Sequence, residues 1–385
     1  VYDVNPNTVV LNEFQSNIYE PQLDQYRARA AYRFIQGKIN VTAGISGQYA
    51  EINGDLQLQD VQLSKSFRNL LYDLSMRYNV AMGRSLNIEF KTKTNAPSIQ
   101  QIQPVVDNSN PLYIYAGNPD LDQEYEYNFT ARYHGFNQSK MSGWFTGIWT
   151  SYKTDAIVTA TTIDSLLVSY STPVNVPYDF TSYLWGTHVG EWQKAKLGYS
   201  ISLNGNYMNG IQFLNGVENT SNRWTIGTSG RLMNKNADVL DVIIGANYSY
   251  TQTLYDVNAE FNQNFFSYGG FLDVNWNIGK EQNWLASSEF TFTTYQGQAF
   301  NSAVTVPLWN VSLSRFLWQK RGELKLFVFD VLGQNQGFSQ QSQLNFVEDR
   351  LTNTVTRYFM LSFTWKITQM GKSDGGGMMR MWRRK

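Results

Sequence analysis

The stretch 69–80, NLLYDLSMRYNV, decides the fold. Leu70, Tyr72, Leu74, Met76, Tyr78 and Val80 fall on one parity; Asn69, Asp73, Ser75, Arg77 and Asn79 fall on the other. Successive side chains of a β-strand point to opposite faces of the sheet, so this period of two describes a strand with one apolar and one polar face. The same pattern extends outward in both directions. Upstream, Tyr26, Ala28, Ala30, Tyr32 and Phe34 oppose Arg27, Arg29 and Arg33, and after the tight turn Gln36-Gly37-Lys38, Ile39, Val41, Ala43 and Ile45 oppose Asn40, Thr42 and Ser46. Downstream, Leu86, Ile88 and Phe90 oppose Asn87, Glu89, Lys91 and Lys93, and Tyr125, Tyr127, Phe129, Ala131 and Tyr133 oppose Glu126, Asn128, Thr130, Arg132 and His134. The pattern persists to Phe359, Leu361, Phe363, Trp365 and Ile367.

Composition narrows what such strands build. Charged residues make up 16% of the 385 and aromatic residues 15%, while the mean hydropathy is −0.39. That value is too polar for a bundle of membrane helices, and no apolar run reaches the ~18 residues that a spanning helix needs. Strands that hide their apolarity in alternation give such a composition in a transmembrane β-barrel. Roughly 15 strands are legible, each near or above the ~9–11 residues that cross the hydrocarbon layer at a tilt. Short links at 36–38, 82–85, 136–140, 191–196, 234–238, 279–283 and 319–322 interleave with longer ones at 51–66, 97–124, 153–178, 209–222, 255–262, 296–303 and 333–356. Outer-membrane barrels have short periplasmic turns and longer extracellular loops, so the longer set faces outward. Trp192, Trp284, Trp318 and Trp365 stand near strand ends, as membrane-interface aromatics do.

Residues 97–124, PSIQQIQPVVDNSNPLYIYAGNPDLDQE, break the alternation. Pro97, Pro104, Pro111 and Pro119 lie in it, four of the nine prolines, each fixing its own φ and removing a backbone donor. The segment reads as an ordered extracellular loop capping the barrel mouth, with Tyr113, Tyr115, Asn118 and Asp120 as candidate loop residues. Gly117-Asn118-Pro119-Asp120 reads as a turn that re-aims the chain into the next strand, and Leu112, Ile114 and Leu121 as the side chains that pin the loop to the wall. Asp120, Asp122 and Glu124 lack calcium-loop spacing, so they read as part of that turn. Residues 1–19 read as a loop or partial strand, 20–367 as the barrel portion, and 368–385 as a periplasmic Gly-rich basic tail.

Arg27, Arg29, Arg33, Arg77, Lys91 and Arg132 occupy polar, lumen-facing registers, where Asp73, Glu89 and Glu126 are neighbours for lumenal salt bridges. His134 and His188 have no partners at metal-ligand spacing, and no nucleophile elbow, zinc helix or phosphate loop occurs. The expectation is a non-enzyme without cofactors. Charge is balanced at 31 basic and 31 acidic residues, which gives no basis for a nucleic-acid partner.

The stretch PSIQQIQPVVDNSNPLYIYAGNPDLDQEYEYNFTARY (97–133), together with FVFDVLGQNQGF (327–338) and RYFMLSFTWKI (357–367), resembles the Bacteroidota outer-membrane β-barrel family related to TonB-dependent receptors. The resemblance implies the C-terminal portion of a 22-stranded barrel that takes up a substrate. It also implies contact with TonB through N-terminal parts, including a plug, that this sequence does not contain. The competing expectation is a non-transporting barrel that scaffolds a surface lipoprotein or a secretion complex, with other outer-membrane complex subunits as partners. Outer-membrane lipids are partners on either reading.

Overall fold

Among the described residues, fifteen antiparallel wall strands joined in sequence order build one sheet. The computed structural model describes residues 2–5, 8–11, 19–56, 61–235, 238–257, 259–297, 303–335, 337–342 and 347–367. A small hairpin, β1 (Tyr2–Asn5) and β2 (Thr8–Leu11), comes first. The wall begins with β3 (Tyr19–Gln36), β4 (Ile39–Leu56), β5 (Val61–Ala81) and β6 (Arg84–Asn95). The loop then supplies α1 (Ile99–Ile102), β7 (Val106–Asn110) and β8 (Tyr113–Ala116). The wall resumes with β9 (Glu124–Asn137), β10 (Ser142–Ile163), β11 (Ser169–Trp192), β12 (Leu197–Leu214) and β13 (Val217–Asn234). It continues through β14 (Leu240–Tyr255), β15 (Gln263–Ile278), β16 (Trp284–Gly297), β17 (Val304–Leu317) and β18 (Gly322–Phe329). A second small hairpin, β19 (Phe338–Ser342) and β20 (Val347–Leu351), precedes the last wall strand, β21 (Tyr358–Trp365).

The seven short turns read from the sequence all fall between paired wall strands. Several of the longer links differ from the expectation, because much of their length is strand. The β10–β11 ladder runs to Ile163↔Ser169, so most of 153–178 is paired. The 209–222 link is a continuous hairpin to Leu214↔Val217 closed by Asn215 (φ 52°) and Gly216 (φ 75°). Two consecutive positive φ values are what a two-residue type I′ turn needs, and Asn-Gly supplies them at least cost. The 51–66 link is likewise paired to Leu56↔Val61. Beyond the membrane both faces of a strand meet water, so the apolar-polar contrast fades while the backbone still satisfies its hydrogen bonds in the ladder.

Following direct cross-strand partners around the wall carries one face from strand to strand. Arg27 faces Gln48 and Gln48 faces Asn69; at the other end Lys325 faces Ser362. This face is polar. The opposite face carries Leu326 against Leu361 and is apolar over the mid-length of the strands. At the short-turn end that apolar face bears aromatics. Trp144 lies 4.3 Å from the His188 ring, Trp192 lies 5.1 Å from Tyr199, and Trp318 lies 5.3 Å from Trp365. Arg315 stacks 4.6 Å over Trp284.

The strand order is that of a ring, but among the described residues no paired register joins β21 to β3. Both strands are exposed along nearly all of the length for which burial is described. With fifteen alternating strands, the first and last run in the same direction.

Above the wall the β10–β11 hairpin departs from it. The ladder skips Asp155 (φ 52°) and the facing Pro177, which has no N–H to give, and keeps the same register from Thr154↔Tyr178 to Ala156↔Val176. The β11–β12 ladder stops at Asp179↔Gly210. Beyond this gap, β11 pairs in parallel with β8 and β10 pairs in parallel with β12. The hairpin tip is therefore turned over relative to the wall below.

Candidate functional site

The loop at 97–124 is built from local chemistry. Ser98 caps α1: its hydroxyl accepts the Gln101 N–H at 3.3 Å while its own N–H donates to the Gln101 side-chain oxygen at 2.8 Å. This reciprocal pairing satisfies two donors that a helix start leaves open. The β7–β8 hairpin turns on side-chain acceptors, with Asp107 taking the Ser109 N–H at 3.0 Å and Asn110 the Leu112 N–H at 3.1 Å. The Ser109 N–H also holds the Asp107 carboxyl below its usual range. Gly117 then passes over the end of α1, where a Cβ would stand 2.2 Å from the Gln103 carbonyl oxygen.

What anchors the loop is apolar. Leu121 is fully buried, in a cluster with Ile102 from α1, Ile52 from β4 and Phe67 from β5; Ile99, Ala96 and Ile157 pack around it. Ile52 and Phe67 lie on the polar face of the wall, as their registers require. The loop therefore folds onto the same face that carries the charges, and burying Leu121 there contributes about 1.5–3 kcal/mol. Of the three side chains expected to pin the loop, only Leu121 sits in this cluster: Leu112 is 62% exposed at the hairpin tip, Ile114 is not among the cluster residues, and Ile102 supplies the second anchor from the loop. Ile114 is half-buried, in the strand that pairs with β11.

Of the candidate loop residues, Tyr113 and Tyr115 stand opposite Ser169 and Ser171, and burial raises the Tyr115 phenol above its usual range. Asn118 donates to the Pro173 carbonyl at 3.1 Å and accepts the Asp120 N–H at 3.0 Å. Asp120 is exposed. Asp122 pairs with Lys65 at 3.4 Å and Glu124 with Lys153 at 3.5 Å, so the three acids of this turn do not converge. Asn175 ties the loop to the β10–β11 hairpin through hydrogen bonds to Asp122 and Asp155. A second apolar cluster, Ala156, Val176 and Ile211, seats the hairpin on β12.

The registers bring Arg27, Arg29, Arg33, Arg77, Lys91 and Arg132 onto one face, in two environments. Toward the loop end the cations meet acids. Arg29 reaches Asp73 with two bonds, at 2.6 and 2.9 Å, and Lys91 pairs with Glu89. Lys93, Glu126, Lys153 and Asp179 stand directly opposite one another on four neighbouring strands. Glu126 is buried and takes Lys93 at 3.0 Å and the Ser151 hydroxyl at 2.9 Å. Exposed pairs such as Arg29–Asp73 each contribute only about 0–1 kcal/mol; their effect is to neutralise and order this part of the wall. Arg27 contacts the Gln48 amide oxygen at 2.5 Å. Toward the short-turn end, Arg33 contacts Asn40 at 3.2 Å and Arg77 contacts Asn79 at 3.3 Å. Among the described residues no carboxylate pairs with Arg33, Arg77 or Arg132.

Sequence reasoning missed Asn175 and Asp330. Asp330 is fully buried, and its carboxylate accepts the N–H groups of Gly333, Gln334 and Asn335 at 3.0, 3.3 and 2.9 Å. The DVLGQNQG run is thus a carboxylate held in a turn, with Gly333 at φ 67°. Its signal was an acid three residues ahead of a glycine at a strand end. Asn175 left no comparable signal, because its partners are distant in sequence. The basic tail, 368–385, lies outside the described residues.

A sheet with one lipid-compatible face, an aromatic belt at the short turns and a polar face under an ordered loop defines an integral outer-membrane β-barrel protein. The chain belongs to the outer membrane protein beta-barrel family, whose model matches residues 1–235. No curated protein matches it. Among solved structures, in-vitro folded OmpT, an outer membrane protein of Vibrio cholerae, is 9% identical, covering 73% of this chain and 87% of its own, with a TM-score of 0.25. The outer membrane transporter YddB from Escherichia coli is 8% identical, covering 80% of this chain and 54% of its own, with a TM-score of 0.28. Likeness of this degree brings nothing about binding or transport to this chain.

Proposed function

We propose that the chain forms most of the wall of a TonB-dependent-receptor-like uptake barrel, its polar face lining the lumen and the 97–124 loop capping the outer mouth. The observation that carries this reading is the seating of Leu121 and Ile102 on lumen-face positions of β4 and β5. A loop packed inward narrows the mouth and offers an element to be displaced when a substrate enters. Lipids of the outer membrane contact the apolar face.

Closure follows from strand direction. Because β3 and β21 run the same way, antiparallel closure takes an odd number of further strands, and about seven would complete the ~22-stranded class that carries a plugged lumen. An open edge in lipid leaves backbone groups without partners at several kcal/mol each, so such strands must be supplied.

The test is cross-linking in cells between the intact gene product and TonB, with and without a protonophore. An adduct that depends on the energised state is expected. Failure to form any adduct, in a product whose intact mass leaves no room for a plug, would sink the uptake reading.

A further inference from the structure

Across β3, β4, β5, β6 and β9 the short-turn end of the polar face carries arginines and no acid. Asn40, Arg77, Asn87 and Arg132 stand directly opposite one another across β4, β5, β6 and β9. Arg33 on β3 reaches the same row through its bond to Asn40. Neighbouring strands lie about 4.7–4.9 Å apart, so Arg77 and Arg132 flank Asn87 across roughly 10 Å. Their long side chains can close on one group held between them. All three arginines are exposed. The nearest acid on this face, Glu89, lies one same-face position along β6 from Asn87 and is engaged by Lys91.

We propose that Arg33, Arg77 and Arg132, with the amides of Asn40 and Asn87 between them, form an oxyanion-binding band on the lumenal wall, taking the phosphate or carboxylate groups of soluble solutes. The inference rests on the reading of this face as the lumen. The contrast along the wall carries it. Higher up, each of Arg29, Lys91, Lys93 and Lys153 has an acid within ion-pair distance, whereas the lower row offers its arginines only neutral amides. Guanidinium groups present paired N–H donors matched to planar or tetrahedral oxyanions. A polar wall that needed only hydration would be served by amides and hydroxyls, as on β12, where Ser200, Ser202, Asn204 and Asn206 occupy the same face.

The chain has no cysteine, so single cysteines report cleanly. Asn87→Cys and its neighbour Ile88→Cys, in otherwise intact protein recovered from the outer membrane, are labelled with anionic and cationic methanethiosulfonates. At low salt the anionic reagent should modify Asn87→Cys about tenfold faster than the cationic one, an effect of the size that focused surface charge has on encounter rates. Adding R77Q and R132Q should bring the ratio close to one. Inorganic pyrophosphate and citrate are then tested as protectants: slowing by the first assigns phosphate-bearing solutes, slowing by the second carboxylate-bearing ones. A ratio near one with both arginines present, or no protection by either anion, overturns the band. Labelling of Ile88→Cys in place of Asn87→Cys would instead overturn the lumen assignment beneath it.

Discussion

The side chain of Asn175 pairs with the main chain of Asp122 as a neighbouring strand would. Its amide oxygen accepts the Asp122 N–H at 2.8 Å and its amide nitrogen donates to the Asp122 carbonyl at 3.1 Å. The same nitrogen reaches the Asp155 carbonyl at 2.7 Å, at the gap in the ladder where the β10–β11 hairpin leaves the wall. One residue therefore holds the end of the loop to the hinge of the hairpin.

Replacing Asn175 with Ala leaves those backbone groups without their partner, a loss of about 1–3 kcal/mol where they are shielded from water. Amide exchange in 118–123 and 153–157 should speed up. Heat-modified mobility of the barrel on gels should not change, because the wall ladders are untouched. Unaltered exchange in both segments would show that the latch is not used.

Leu121→Ala should weaken the loop anchor by about 2–5 kcal/mol, the usual range for a buried leucine, and expose the loop to limited proteolysis. Leu112→Ala, at an exposed tip, should be close to neutral. Equal cleavage rates in the two variants would contradict the seating of the loop.

Gly117→Ala places a methyl group 2.2 Å from the Gln103 carbonyl. Such overpacking costs about 1–3 kcal/mol, and it should loosen α1 while leaving β9 in register. Exchange protection of the Gln103 N–H, which donates to the Ile99 carbonyl at 2.8 Å, is the readout; wild-type protection would refute it.

Leu361→Arg puts a charge on the apolar face at about 2–4 kcal/mol if it lies at mid-membrane depth, whereas Ser362→Arg adds one to the polar face opposite Lys325. Outer-membrane yield should fall much further for the first. Similar yields would mean that the faces of β21 are exchanged.

Much of the wall is legible in one dimension. Period-two alternation marks strands such as 69–80 because one face meets lipid and the other water, and turn residues mark where each hairpin closes. The outer parts of β10 and β11 read as a loop in the sequence because that contrast disappears above the membrane. Leu112 reads as an anchor in the sequence because an apolar residue in a loop suggests burial; its place on a hairpin tip depends on how β7 and β8 pair.

The site divides the same way. Alternation puts each of six basic residues on the polar side of its own strand, and the strand registers join those sides into one face. Whether each meets an acid depends on the relative shift of strands far apart in sequence. Asp73 reaches Arg29 across 44 residues, while Arg77, four residues along the same strand, faces Asn40 and Asn87. The sequence by itself determined strands, turns and faces, because those follow from local periodicity and backbone geometry. The inward seating of the loop, the turned-over hairpin and the division of the basic face into paired and acid-free bands were decided only by tertiary structure. Each depends on cross-strand register and long-range packing, which no local pattern encodes.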